Sequence, residues 1–155
     1  SIALGACKGY PSLTFLHDLS LRIIDATDRG KQPIILYFGD YDPSGEDIPR
    51  ALRENLILLG CSEDLEVRRI CLNKDQVIAW GLPPAPTKDT DSRSAHWDGL
   101  GQVELDAVKP EKLMQLLQNA IDDIFDKSLY EELMAREEHE GVMFKDELKL
   151  YISNL

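Results

Sequence analysis

The chain has 155 residues, 43% of them hydrophobic and 29% charged, with a formal net charge of -11. That length suits one domain with its own core, and no apolar run approaches the roughly 18 residues that a membrane span needs. The negative balance excludes broad attraction to phosphate backbones, which Lys and Arg drive by displacing condensed counterions, so any contact with nucleic acid has to be local, metal-bridged or helped by another domain.

The three cysteines, Cys7, Cys61 and Cys71, show no CxxC pairing and leave an odd number, which fits a reducing, cytoplasmic setting better than a disulfide framework. The chain opens "SIALGAC", with no initiator Met and no charged leader, and is read as beginning inside a larger protein. Residues 2 to 6, "IALGA", are a short apolar run closed by Gly9 and Pro11, and predict a buried strand. From Ser12 as N-cap, Leu13, Leu16, Leu19 and Ile23 recur at helical spacing until "DRG" at 28 to 30.

"PIILYF" at 33 to 38 is continuously apolar, as a parallel strand covered on both faces would be. Ser44 with Asp47 resembles a capping box, and Ile48, Leu52, Leu56 and Leu59 give the next helix its inner stripe until Gly60. "LEVRRICL" at 65 to 72 reads as a third strand, followed by a short helix over 74 to 80. Alternating strands and helices predict an α/β fold with an open, mostly parallel sheet flanked by helices.

The segment from Gly81 to Gln102 has no period and several prolines and glycines, and loops of that length are usually functional or mobile. "VELDAV" at 103 to 108 reads as a brief strand. Pro110 then opens an amphipathic helix carrying Leu113, Leu116, Leu117, Ala120, Ile121 and Ile124. Two further helices are expected over 128 to 140 and 142 to 152, broken at Gly141. Residues 110 to 155 thus form a helical C-terminal part of one domain spanning 1 to 155.

The chemistry concentrates in "GDYDPSGEDI". In open parallel sheets, ligands bind beyond the carboxyl ends of the strands, where Asp40 and Asp42 stand. Two residues apart on an extended segment, they fall on one side. Close carboxylates either raise a pKa or take a cation between them. A hard ion, Mg²⁺ or else Mn²⁺, resolves the repulsion and keeps waters and phosphate oxygens as its other ligands. The alternative is that both acids serve the following helix as caps and dipole partners.

"DYDPSGEDI" resembles the D-x-D-P-x-G-x-x-I signature of the TOPRIM domain in the A subunit of topoisomerase VI and the related meiotic DNA-breakage proteins. "CKGYPSL" is similar to the G-K-G-Y-P-D segment that this subfamily carries one βα unit earlier, and "VELDA" resembles its later acidic strand. The resemblance covers residues 3 to 60 well and 103 to 108 weakly. It implies a Rossmann-like TOPRIM sheet in which Asp40 and Asp42 are the metal-binding acids, Gly45 permits a tight turn beside the metal, and Lys8 approaches a phosphate. Cys7 and Ser12 depart from that segment's glycine and aspartate. The family's glutamate falls upstream of Ser1, so the first strand is expected to be missing from this chain, and the tyrosine domain of the strand-cleaving members has no counterpart. Tyr37 is read as a core residue, and Tyr10 and Tyr41 as loop-edge residues.

Further candidates are Lys88 and Arg93, which reach toward phosphate from the long loop, and Glu104 and Asp106, which approach the metal if their strand borders the site. Each has a plainer reading, as a solvated loop or an exposed face. Glu46 and Asp47 are assigned to the helix N-terminus, and His17, His96 and His139 share no ligand spacing. The functional expectation is a Mg²⁺-binding TOPRIM domain of a protein that cuts, rejoins or otherwise processes nucleic acid, preferably DNA, through further domains or subunits, with no membrane partner. Taken alone, the chain is expected to be inactive. A noncatalytic TOPRIM-like interaction module is the second reading. A phosphotransferase of the haloacid-dehalogenase type is the third, ranked lower because a full strand and helix precede Asp40 and no later lysine with paired acids appears.

Overall fold

The computed structural model describes residues 3–7, 9–84 and 101–153. Contacts divide the chain into two compact units, Ser1–Leu116 and Leu117–Leu155.

The first unit is α/β. Helix α1 spans Leu13–Asp28, and its N-cap is Ser12, whose Oγ accepts from the Phe15 amide at 3.2 Å. Strand β1, Ile34–Phe38, lies parallel to β2, Glu66–Cys71. Between them runs α2, Pro43–Leu58, with Ile48, Leu52 and Leu56 on its buried face. Gly60, just beyond its end, has φ +98, a left-handed turn that glycine enters without steric cost. Helix α3, Lys74–Trp80, starts from a capping box between Asn73 and Gln76 and stops at Gly81 in the left-handed conformation.

Two apolar clusters hold this unit. Leu16 and Ile23 of α1 meet Leu52 and Leu56 of α2, with Ile35 and Val67, a registered strand pair, packed against them. Cys71, Leu72, Val77, Val103 and Val108 gather around Tyr41, with Phe38 alongside.

Several expectations need correction. Residues 3–7 form no strand and are exposed, Leu4 at 99%. The run has few large side chains to bury, and no described strand offers its backbone a ladder. Among the described residues the sheet therefore has two strands, and β1 is half-buried throughout instead of covered on both faces. "VELDAV" is not a strand either. Val103 makes one antiparallel bridge to Tyr41, and Leu105–Ala107 close a 3-10 turn. The α2 helix starts earlier than Ser44, because Pro43 fits the first helical position and Asp42 caps it.

Helix α4, Pro110–Asp122, begins in the first unit as its proline predicts and ends in the second, so Ile124 falls past its end. In the second unit α5 runs unbroken over Lys127–Ser153. Gly141 does not interrupt it and takes no positive φ, since glycine costs a helix interior about 1 kcal/mol without forbidding the conformation. No helix among the described residues is long and apolar enough to cross a membrane.

Candidate functional site

The site lies where β1 ends. The Gly39 amide donates to the Cys71 carbonyl at 2.7 Å, and the Leu72 amide donates back to Gly39 at 2.8 Å, which carries the parallel pairing one step past the strand. Tyr41 then exchanges both backbone hydrogen bonds with Val103, at 2.8 and 2.9 Å. Its side chain is 2% exposed, so Tyr41 is a core residue and not a loop-edge one. With Tyr41 turned inward, its neighbours Asp40 and Asp42 turn the other way, as alternation in extended chain requires.

Each acid already has a partner. Asp42, extended at φ -146, is the N-cap of α2 and accepts from the Gly45 amide, satisfying one of the donors that every helix start leaves open. Asp40 Oδ1 accepts from the Leu105 amide at 2.8 Å. That bond brings the 103–106 segment against the strand end, with exposed Glu104 and Asp106 on either side of Leu105. The capping alternative read from sequence therefore holds for Asp42, while Asp40 serves a different backbone group.

Gly45 works differently from the expected tight turn. It sits inside the first turn of α2 and has no positive φ. A Cβ there would stand 2.2 Å from the Asp40 carbonyl oxygen, so only glycine lets the helix approach the strand end this closely.

Arg69 is the residue that sequence reasoning missed. From β2 its Nη2 donates to the Asp40 carbonyl at 2.8 Å and to the Leu72 carbonyl at 2.6 Å, and its Nε to Leu72 at 2.9 Å. Nη1 donates to the Gly45 carbonyl. That acceptor needs a donor because Pro49, four residues on inside α2, has no N–H to give it. One signal was present: a proline inside an amphipathic helix orphans one carbonyl, which has to find a donor elsewhere. The guanidinium also lies 5.7 Å from the Tyr37 ring centroid. Burial pushes the Tyr37 hydroxyl up from its ordinary value, with Asp40 adding to the shift and Arg69 opposing it.

Tyr10 donates to Asp47 Oδ2 at 2.6 Å, which ties the residue two positions before the α1 N-cap to the first turns of α2. Asp47 also pairs with Arg50 at 2.7 Å. Lys8, Lys88 and Arg93 lie outside the described residues. Among the described residues no group of three or more His, Cys, Asp or Glu is arranged to hold a metal ion. Compared with protein-family models, with curated proteins and with solved structures, the chain matches none.

Proposed function

We propose that the chain is a Rossmann-like, TOPRIM-type Mg²⁺-binding domain of a protein that processes DNA by cutting, rejoining or related phosphate chemistry. The supporting observation is the path of "DYDPSG", which leaves a parallel strand at Asp40 and enters the N-terminus of α2 at Asp42. Strand ends of this kind are where open α/β sheets bind ligands.

The donor set suits an ion that arrives hydrated or with phosphate. The hydrogen bonds of Asp40 and Asp42 each engage one carboxylate oxygen, and Mg²⁺ is usually bound through one or two carboxylates, with water and phosphate oxygens completing its shell. A closed cage made only of side chains does not fit, given the absence of a three-ligand group among the described residues. Mg²⁺, when bound, supplies charge that offsets the two carboxylates and stabilises negative charge on a phosphate. The chain supplies position: Arg69 fixes the backbone at Asp40 and Gly45, and Gly45 keeps the approach open. Glu104 and Asp106 flank the amide that holds Asp40, and Lys8, Lys88 and Arg93 are the cations assigned to phosphate. With a net charge of -11, attraction to DNA is confined to that site and to other domains or subunits.

One observation favours a second reading, a noncatalytic TOPRIM-like interaction module: both acids already do structural work without an ion. Calorimetric titration with Mg²⁺ and Mn²⁺ separates the two. Asp42→Asn keeps a side-chain oxygen for the cap and removes the charge, and Asp40→Asn does likewise for the Leu105 contact. Binding by the natural chain that is lost in both variants supports the metal site. Equal heats from natural chain and variants, or none, leave the interaction module.

A further inference from the structure

Tyr37 of β1 stands in register with Arg69 of β2, so the two side chains share one face of the sheet. The Arg69 guanidinium, 5.7 Å from the Tyr37 ring centroid, is within cation–π reach. It is itself fixed, because four of its five N–H groups donate to the carbonyls of Asp40, Gly45 and Leu72. Along the same face the ring leans toward the carboxyl end of β1 and lies over Gly39. A Cβ on Gly39 would stand 2.5 Å from Cζ and 2.7 Å from Cε1 of that ring, and would meet the hydroxyl oxygen as well. The absence of a side chain at 39 therefore gives the phenol its space and sets its oxygen against the backbone one residue before Asp40.

That hydroxyl is a donor without an acceptor. Tyr37 is half-buried, and no described residue takes its hydrogen in a bond, although a buried phenol usually finds a partner. Burial first, and the charges of Asp40, Cys7 and Asp42 with it, hold the hydroxyl protonated against the opposing Arg69. Both acids of the site thus act on this one oxygen.

We propose that Tyr37 donates its hydroxyl hydrogen to a phosphate oxygen at the Asp40–Asp42 site, which rests on the reading of those two acids as Mg²⁺ ligands. A phosphate that arrives with the ion keeps oxygens that the metal does not coordinate, and these call for donors. Arg69 cannot supply them freely, since its N–H groups are committed to backbone carbonyls. A neutral donor also suits the place: an ammonium so close to Asp40 and Asp42 would pair with the carboxylates and compete with the ion, whereas a phenol bonds the phosphate and leaves both acids to the metal.

Tyr37→Phe removes the hydroxyl and keeps the ring over Gly39 and beside Arg69. Calorimetric titration of the full chain, first with Mg²⁺ and then with inorganic phosphate at saturating Mg²⁺, reads the metal site and the phosphate contact apart. Phosphate affinity should fall about tenfold or more in the variant, as for the loss of a hydrogen bond to a charged group. The thermal midpoint without ligand should not fall, since no hydrogen bond within the chain is lost. Equal phosphate affinity in the two proteins overturns the proposal and leaves the metal site standing, as does a natural chain that binds Mg²⁺ but no phosphate. A lowered midpoint in Tyr37→Phe overturns it too, by assigning the hydroxyl to the fold. A natural chain that takes up no Mg²⁺ overturns the reading of the two acids, and the phosphate contact falls with it.

Discussion

Arg69 donates to the carbonyl of Gly45, the acceptor that Pro49 leaves without its helical donor. The same guanidinium reaches the Asp40 and Leu72 carbonyls, so one side chain of β2 holds the backbone on both sides of the Asp42 cap. Arg69→Ala leaves three carbonyls short of a donor and should lower stability by about 2–4 kcal/mol. Arg69→Lys should recover only part of this, because an ammonium lacks the planar fork that serves several acceptors at once. Urea unfolding measures both variants, and an unchanged midpoint in Arg69→Ala would show that water serves these carbonyls equally well.

Gly45→Ala places a methyl carbon 2.2 Å from the Asp40 carbonyl oxygen. Backbone has to move, since the obstacle is not the end of a flexible side chain. The expected loss is about 1–3 kcal/mol, together with chemical-shift changes at Leu105, whose amide is held by Asp40. An alanine variant of natural stability and natural Leu105 shifts would contradict the close approach.

The two roles of Asp42 can be measured apart. Asp42→Ala removes the cap from the Gly45 amide and should cost about 1 kcal/mol, whereas Asp42→Asn should stay within a few tenths. Both variants should lose Mg²⁺ affinity if the carboxylate charge holds an ion. Thermal melts with and without Mg²⁺ report both effects. Stabilisation by the ion in the natural chain, absent from Asp42→Asn, is the expected pattern.

Burial pushes the Cys71 thiol up from 9.0 to about 11, with Arg69 opposing the shift. Between those values the unfolded chain has released a proton that the folded chain keeps. Stability from this group is therefore full below about pH 9 and lost as the pH rises through 11, by on the order of 2 kcal/mol. Denaturant titrations across that range should show the decline in the natural chain and a shallower one in Cys71→Ala. At neutral pH, Cys7 is exposed while Cys61 and Cys71 are buried, so a thiol reagent should label Cys7 rapidly and the other two only on unfolding.

Elements governed by local pattern were legible from sequence. Ser12 announced the start of α1, the Ile48, Leu52 and Leu56 stripe gave α2 its buried face, and Pro110 opened α4. Segments whose state depends on a distant partner were not. "IALGA" and "VELDAV" have strand composition, but a strand exists only where another supplies its hydrogen bonds, and Val103 finds one bridge at Tyr41 while residues 3–7 find none. Composition likewise could not tell that Tyr41 is enclosed, because its burial comes from a cluster assembled from residues up to Val108.

The acidic segment divides in the same way. Sequence by itself placed Asp40 and Asp42 at the mouth of a strand and gave the helix after them a cap, since strand ends, helix starts and glycine positions are set by neighbours a few residues apart. Only the tertiary structure decided that Asp42 is that cap, that Asp40 holds the amide of Leu105, and that Arg69 secures the carbonyls around them. Those three assignments depend on which orphaned backbone groups lie within hydrogen-bond reach, and for Asp40 and Arg69 that reach spans segments far apart in the chain.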